Sequence, residues 1–478
     1  MPMRSFIAAA AFLLAAAPGL AQAPAARGAP AIYAQLCASC HGDEMQGGKA
    51  RGFAPIAGRS LPDERELARI VREGIPASEM PAFADALSAG EIHALVVLIR
   101  ETAAGSSARM PLRARPLPAD VQHSAEHAYR IERLVGDLDV PWSLAFLPDG
   151  RMLFTERTGA LFVVANENGR WGAPRPVAGV PDVWVRDEGG LLAVAPHPEF
   201  ARNGWIYLTL SDPGPNDTGT TRVLRARLRD NALVEHETIF AAPADGYTAM
   251  GVNFGSRLVF DGDYLFFTFG ERGEVGQAQD LARPNGKVHR VFHDGRIPPD
   301  NPFVDTPGAV ASIWSYGHRN PQGLARNPVD GGLWETEHGP RGGDELNHVR
   351  RGRNYGWPVI TYGMNYDGTP VSALTRKEGM EQPVMHWTPS IAVSPIHFYT
   401  GDAFPKWKNQ LFVGALVQQE LHRMVVEGDR VVRKEMLLKD LGRVRDVVTG
   451  PDGFLYVALE LPGEPGWIVR LVPAERDQ

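Results

Sequence analysis

An all-β six-bladed propeller preceded by a small all-α domain is the fold class this sequence predicts, and three observations carry it. An apolar run, a turn and a β-rich run recur six times after about residue 129. Glycine (51) and proline (39) are plentiful but dispersed, as a turn-rich β protein requires. Ahead of the repeats, apolar residues instead recur at helical spacing around the only two cysteines of the 478-residue chain.

Residues 1 to about 21 open with Arg4, run through an apolar Phe6–Ala17 segment and reach Pro18-Gly19-Leu20-Ala21, which reads as a secretory signal peptide. The apolar run is short for a membrane span, so an uncleaved anchor is the lesser alternative and stable membrane insertion is not expected. Export places the mature chain in the periplasm. The formal net charge of -7 carries no long basic run, which argues against nucleic acid as a partner.

Cys37-Ala38-Ser39-Cys40-His41 spells C-x-x-C-H, the attachment signature of a c-type haem. Two thiols on one turn can add to the two haem vinyl groups, with His41 under the iron. A zinc site would need a second ligand pair, and none exists; a Cys37–Cys40 disulfide is the other extracytoplasmic reading. Ile32–Gln35 leads into the motif with helical composition. Asp63–Arg72 and Ser88–Arg100 follow, the first with Leu67, Ile70 and Val71, the second with Ile92, Leu95, Val96 and Ile99 behind a Ser88/Glu91 capping box. Between them, a loop framed by Pro76 and Pro81 offers the Met80 sulfur as sixth ligand, with Met45 as rival. Residues 30–103 resemble a small class I cytochrome c, and the resemblance implies His41/Met80 ligation and a raised potential suited to electron transfer. The cytochrome domain is expected over 29–103.

Residues 104–127 lack sustained apolar periodicity and read as an inter-domain tether. The propeller is expected over 128–478. Its six repeats begin at Trp142, Gly190, Ser256, Gln322, Ala392 and Arg445. Each reads as two hairpin-linked strands, which cannot bury a face alone but can do so as radial blades. A β-sandwich is the alternative. His197, in one of the turns, reads as structural, and Tyr264, Phe266, Phe267 and Phe269 as strand packing.

Three polar clusters stand between strands: Gly317–Gly323, Glu337–Glu345 and Gly442–Asp446. Arginine forks at loop positions suit a polycarboxylate, and glycine lets backbone carbonyls approach a cation such as Ca²⁺; loop-stapling ion pairs are the structural alternative. Residues 129–473 resemble the soluble quinoprotein glucose and aldose sugar dehydrogenase family through Ile313–Gly323, the HGPRGGDE run from His338 and Asn354-Tyr355-Gly356-Trp357-Pro358. That resemblance implies a six-bladed propeller binding pyrroloquinoline quinone (PQQ). It assigns quinone contacts to Arg319, Asn320, Arg443 and Arg445, a further contact to Ser390, and Ca²⁺-directed carbonyls to Gly339 and Pro340.

Three positions depart from the family. Asn253 stands where it has its general-base histidine, Val417 where it has a quinone-contacting lysine, and Glu188 where it has a glutamine. Removing hydride from a sugar carbon needs a base for the hydroxyl proton, and a carboxylate made basic by burial can serve. Glu188 is the candidate base; pairing to Arg186 or Arg257 is its structural alternative. The implied protein is a periplasmic PQQ-dependent dehydrogenase of an aldose or related alcohol or aldehyde. It passes electrons singly to its own haem and on to a downstream acceptor such as a cytochrome or oxidase. A cytochrome-bearing electron-transfer or binding protein whose propeller has lost sugar oxidation is the second reading, and an enzyme with a rearranged site for another alcohol or aldehyde the third.

Overall fold

The computed structural model describes residues 26–53, 61–105, 115–167 and 169–474, so the signal segment expected at 1–21 lies outside the described residues. Among the described residues, four α-helices build the N-terminal unit: α1 (Ala29–Leu36), α2 (Ala38–His41), α3 (Glu64–Glu73) and α4 (Ala89–Ala103). Local chemistry sets their ends. Pro30 opens α1, where its missing N–H costs nothing. The Asp63 carboxylate accepts from Glu66 N (2.9 Å) to start α3. The expected capping box starts α4, with Ser88 N donating to Glu91 Oε2 (2.9 Å) and Glu91 N to Ser88 Oγ (3.3 Å). Ile92, Leu95, Val96 and Ile99 are buried, as the helical spacing predicts.

Six antiparallel blade sheets follow, besides a two-stranded ribbon of Asn166–Glu167 and Arg170–Trp171, and the blades' first strands pack against one another in a ring. Five blades are four-stranded and begin at Pro141–Phe146, Leu191–Pro196, Gly255–Asp261, Pro321–Arg326 and Val393–Phe398. The sixth begins at Arg443–Thr449, and the ring closes there because Ala128–Leu138 pairs antiparallel with Gly466–Ala474, joining the two ends of the propeller in one sheet. Gln122–His123, within the stretch read as tether, adds a short outer strand to this blade. The ring excludes the β-sandwich. Each predicted repeat is the first hairpin of a blade.

The blades are tied by a recurring hydroxyl. Second-strand threonines donate across to the first strand of the next blade: Thr155 to Leu192 O (2.6 Å), Thr209 to Ser256 O (2.8 Å), Thr268 to Pro321 O (2.9 Å) and Thr336 to Ser394 O (2.8 Å). All four threonines are fully buried, and each bond contributes about 1 kcal/mol net while leaving no stranded polar group. Phe266, Phe267 and Phe269 are core, while Tyr264 is only half-buried. His197 is structural: its Nδ1 accepts from Glu199 N (2.9 Å), its Nε2 meets His293 Nδ1 (2.9 Å), and burial pushes it down to about 4.

Candidate functional site

The helical unit holds an apolar cavity lined by Cys37, His41, Phe53, Met80, Leu95 and Ile99 among others. His41 Nδ1 lies 2.6 Å from Arg51 O and its ring stacks on Phe53 at 4.7 Å. Donation from Nδ1 to that carbonyl fixes the tautomer and leaves Nε2 as the free ligand atom. Cys37 and Cys40 are unpaired thiols three residues apart. Met80 lines the cavity; Met45, the rival ligand, is buried in the domain's own apolar cluster with Ile32 and Leu87. Gly74 makes the Met80 loop possible: its φ is +73°, and a Cβ there would lie 2.5 Å from Met80 O. The residues present fit a haem held through two thioethers, one histidine and one methionine.

At one end of the propeller, Glu188, Arg443 and Arg445 line a cavity with Trp142, Phe254, His338 and Leu416. A smaller neighbouring cavity is lined by Arg319, Glu337, His338, Gly339 and Glu345. His338 belongs to both. Its Nε2 is shut off from solvent without a partner, and burial and Arg319 push its pKa down. Arg319 Nη1 donates to the carbonyls of His338 (3.1 Å) and Gly339 (3.0 Å). Asn320 is fully buried; its Oδ1 accepts from Gly255 N (3.0 Å) and Gln322 Nε2 (3.0 Å), while its Nδ2 has no partner. Arg443 and Arg445 share Glu460, at 3.2 and 2.5 Å. Burial opposes ionisation of Glu460, but the two arginines outweigh it and hold the carboxyl below its usual range.

Ser390 turns its hydroxyl onto Asp344 Oδ1 (2.5 Å). Asp344 also accepts from Gly339 N (3.0 Å), Ile391 N (2.9 Å) and Val393 N (3.1 Å), so one buried carboxylate ties the Gly339 and Ser390 loops together. Val417 is exposed, 46% by area, and offers no cation.

Glu188 differs from what the sequence suggests. It is exposed rather than buried. It pairs with neither Arg186, which binds Asp217, nor Arg257, which binds Asp446. Its Oε2 accepts from Asn253 N (2.8 Å). Asn253 is buried in a left-handed conformation (φ 55°), and its side-chain amide donates to Glu271. Glu271 is 1% exposed, its Oε2 lacks a partner, and burial raises its carboxyl against the pull of Arg319. Arg272 lies beside it, 3.5 Å over the Phe254 ring, and burial lowers it to about 9. Glu271, Arg272 and Glu460 are the residues at this site that sequence reasoning missed, and Asp344 stood inside the Glu337–Glu345 cluster without a role assigned to it.

Beneath the smaller cavity, His318, Glu335 and Glu337 bring ligand atoms within 4.8 Å of one another, and Asn347 Nδ2 bridges Glu335, Glu337 and Glu345. Burial alone would lower His318, but Glu335 and Glu337 outweigh it and hold the imidazolium up to about 9. Burial and the neighbouring Glu337 raise both Glu335 and Glu345. With Glu335 and Glu345 pushed toward their neutral, protonated forms beside the His318 imidazolium, the three side-chain carboxyls form an oxygen-rich wall held together by Asn347.

Residues 138–470 match the family described as glucose / sorbosone dehydrogenase, and residues 24–99 match the one described as cytochrome c oxidase, cbb3-type, subunit III. The chain is 46% identical over 341 residues to aldose sugar dehydrogenase YliI of Escherichia coli (strain K12), spanning 70% of this chain and 91% of that protein. It is 28% identical over 415 residues to quinoprotein glucose dehydrogenase B of Acinetobacter calcoaceticus, covering 69% and 85%. Among solved structures, the apo-form of the soluble aldose sugar dehydrogenase from Escherichia coli superposes with a TM-score of 0.68 at 43% identity, covering 72% of this chain and 100% of that one. The PQQ-bound aldose sugar dehydrogenase of Streptomyces coelicolor superposes with a TM-score of 0.58 at 27% identity, covering 72% and 98%. The chain therefore belongs to the glucose/sorbosone dehydrogenase family and carries a cbb3-type cytochrome c domain ahead of its propeller.

Proposed function

We propose that this chain is a periplasmic PQQ-dependent dehydrogenase that oxidises an aldose or related alcohol or aldehyde and passes the electrons to its own c-type haem. The observation that carries the reading is the convergence of Arg319, Arg443 and Arg445 on adjoining cavities of one propeller mouth, in a chain that also holds an apolar cavity lined by Cys37, His41 and Met80. Planar guanidinium forks bind the carboxylates of such a quinone bidentately, and the unpartnered Asn320 Nδ2 adds a buried donor. Bound there, PQQ would supply two-electron quinone chemistry. Ca²⁺ would take the carbonyls of Gly339 and Pro340; the Gly339 oxygen already accepts one bond from Arg319 and keeps a second lone pair.

The chain's own task is to orient the substrate hydroxyl and take its proton. Glu188 lines the cavity and is fixed through Asn253 N, so it remains the proposed base, now as an exposed rather than buried carboxylate. Asn253 has no basic atom, and its amide is held by Glu271 in a positioning role. Periplasmic localisation is supported by the N-terminal signal pattern and by the haem motif, whose covalent loading occurs outside the bacterial cytoplasm. Among the described residues no helix is long and apolar enough to cross a membrane. A downstream cytochrome or oxidase would reoxidise the haem.

Calorimetric titration of PQQ into the Ca²⁺-supplied protein tests the reading, with Arg445→Leu expected to weaken binding at least about tenfold through loss of a charge-assisted contact. No binding by the unmodified protein would overturn it. That outcome would favour the second reading, an electron-transfer or binding protein whose propeller has lost sugar oxidation, which Asn253 and Val417 favour. Unchanged turnover in Glu188→Gln would remove Glu188 as the base.

A further inference from the structure

Helix α4 is a wall shared by the two halves of the molecule. Leu95 and Ile99 on it line the haem cavity. At about 100° per residue, Val97 lies roughly 200° from each of them, on the opposite side, in line with Gly90 and Glu101. That side packs on the propeller. Val97 is fully buried, and a Cβ on Gly342 would lie 3.1 Å from its Cγ1. A Cβ on Gly90 would meet Pro370 at 3.0 Å. Glu101, 8% exposed, pairs with Arg341 through Nη2 to Oε2 at 2.8 Å and through Nε to Oε2 and Oε1 at 3.0 and 3.1 Å.

Two further ties fix the same face. Ala29 N donates to Gly368 O (2.8 Å), and the fully buried Met364 of the propeller belongs to the helical unit's apolar cluster with Ile92, Leu95 and Val97. Met364 and Arg341 exchange backbone hydrogen bonds at 3.1 and 2.9 Å. Arg341 directly follows Pro340, so one short loop carries Gly339 and Pro340 toward the proposed cofactor and Arg341 and Gly342 onto the haem wall. Replacing a buried ion pair by apolar groups costs little, whereas removing one partner strands the other charge, so the pair acts as a register device more than as a stabiliser.

We infer that the seam along α4 is the route by which electrons leave the propeller, and that Glu101 and Arg341 are positioning residues that hold the haem at transfer distance from the quinone loop. The inference rests on the function proposed above. The haem-cavity face and the propeller face of α4 are about one helix width apart, roughly 10 Å. Each substrate oxidation releases two electrons through the quinone. They reduce the ferric haem iron to ferrous twice, one electron at a time, with an external one-electron acceptor reoxidising it between transfers. The two protons go to solvent. A fixed seam makes both transfers intramolecular and independent of protein concentration.

The test compares haem- and PQQ-loaded wild type, Glu101→Arg, Arg341→Glu and the charge-swapped double variant. Small-angle scattering reads domain docking, stopped-flow absorbance reads haem reduction by an aldose, and a phenazine dye reads electron release that bypasses the haem. Glu101→Arg is expected to expand the particle and slow haem reduction at least about tenfold, with dye reduction unchanged within about twofold and the haem potential unmoved; the double swap restores compactness and rate. Haem reduction at the wild-type rate in Glu101→Arg, or a wild-type rate that scales with protein concentration, overturns the seam while leaving the dehydrogenase reading intact. Absent dye reduction in the wild type overturns both.

Discussion

Asp344 is the single residue on which both sides of the proposed cofactor seat depend. It is fully buried and accepts four bonds, two on each oxygen: Ser390 Oγ and Gly339 N on Oδ1, Ile391 N and Val393 N on Oδ2. Asp344→Asn keeps the shape but turns one oxygen into a donor that faces two donors. At about 1–3 kcal/mol for each stranded buried group, the expected cost is about 4 kcal/mol. For a domain of this size, about 2 °C per kcal/mol, that is a fall of about 8 °C in Tm by scanning calorimetry. Because Gly339 and Ser390 both lose their anchor, PQQ affinity measured by titration falls at least about tenfold, the equivalent of about 1.4 kcal/mol. A Tm within about 1 °C of wild type together with an affinity within about twofold would refute the assignment.

Met80→Ala leaves the haem attached through Cys37 and Cys40, lowers its midpoint potential and opens a position that binds carbon monoxide, whereas Met45→Leu changes neither spectrum nor potential. Thr268→Val strands Pro321 O and Arg257 N and lowers stability by about 2 kcal/mol in urea melts, while an exposed substitution at Thr400 has no such effect. His289 is fully buried between Ser312 Oγ and Pro284 O, both at 2.9 Å, and burial holds it down to about 3. Its folded pKa is depressed, so its contribution is complete above about pH 6.5 and is lost as pH falls toward 3, at up to about 1.4 kcal/mol per pH unit. Melting profiles of His289→Gln are therefore shallower on the acid side than those of the wild type.

The period-3.6 and period-2 patterns were readable because burial writes them directly into the residue order, which is why the capping box at Ser88 and the six first-strand hairpins coincide with the structure. The inter-blade hydroxyls were also visible, as a threonine in MLFTE, IYLTL, LFFTF and LWETE, but one strand does not reveal that its threonine bonds the neighbouring blade. The same applies to the mouth. Second strands end on or near Glu156, Asp212, Glu271, Glu337 and Glu460, a recurring acidic position; at Glu460 its partners are Arg443 and Arg445 of the neighbouring strand, a pairing that only the strand register reveals. Glu188 was misread because burial is a property of the assembled mouth rather than of the Asp187-Glu188-Gly189 turn. The α4 seam was not readable at all, since Glu101 and Arg341 meet across 240 residues of chain.

The central claim is that a sugar oxidised at the propeller mouth reduces the haem of the same chain. Haem absorbance in protein loaded with PQQ and Ca²⁺ tests it most directly, with a panel of aldoses added under anaerobic conditions. The account predicts reduction by at least one aldose, at a rate independent of protein concentration and abolished when PQQ is withheld. A haem that stays ferric with every sugar, yet is reduced at once by dithionite, would contradict it.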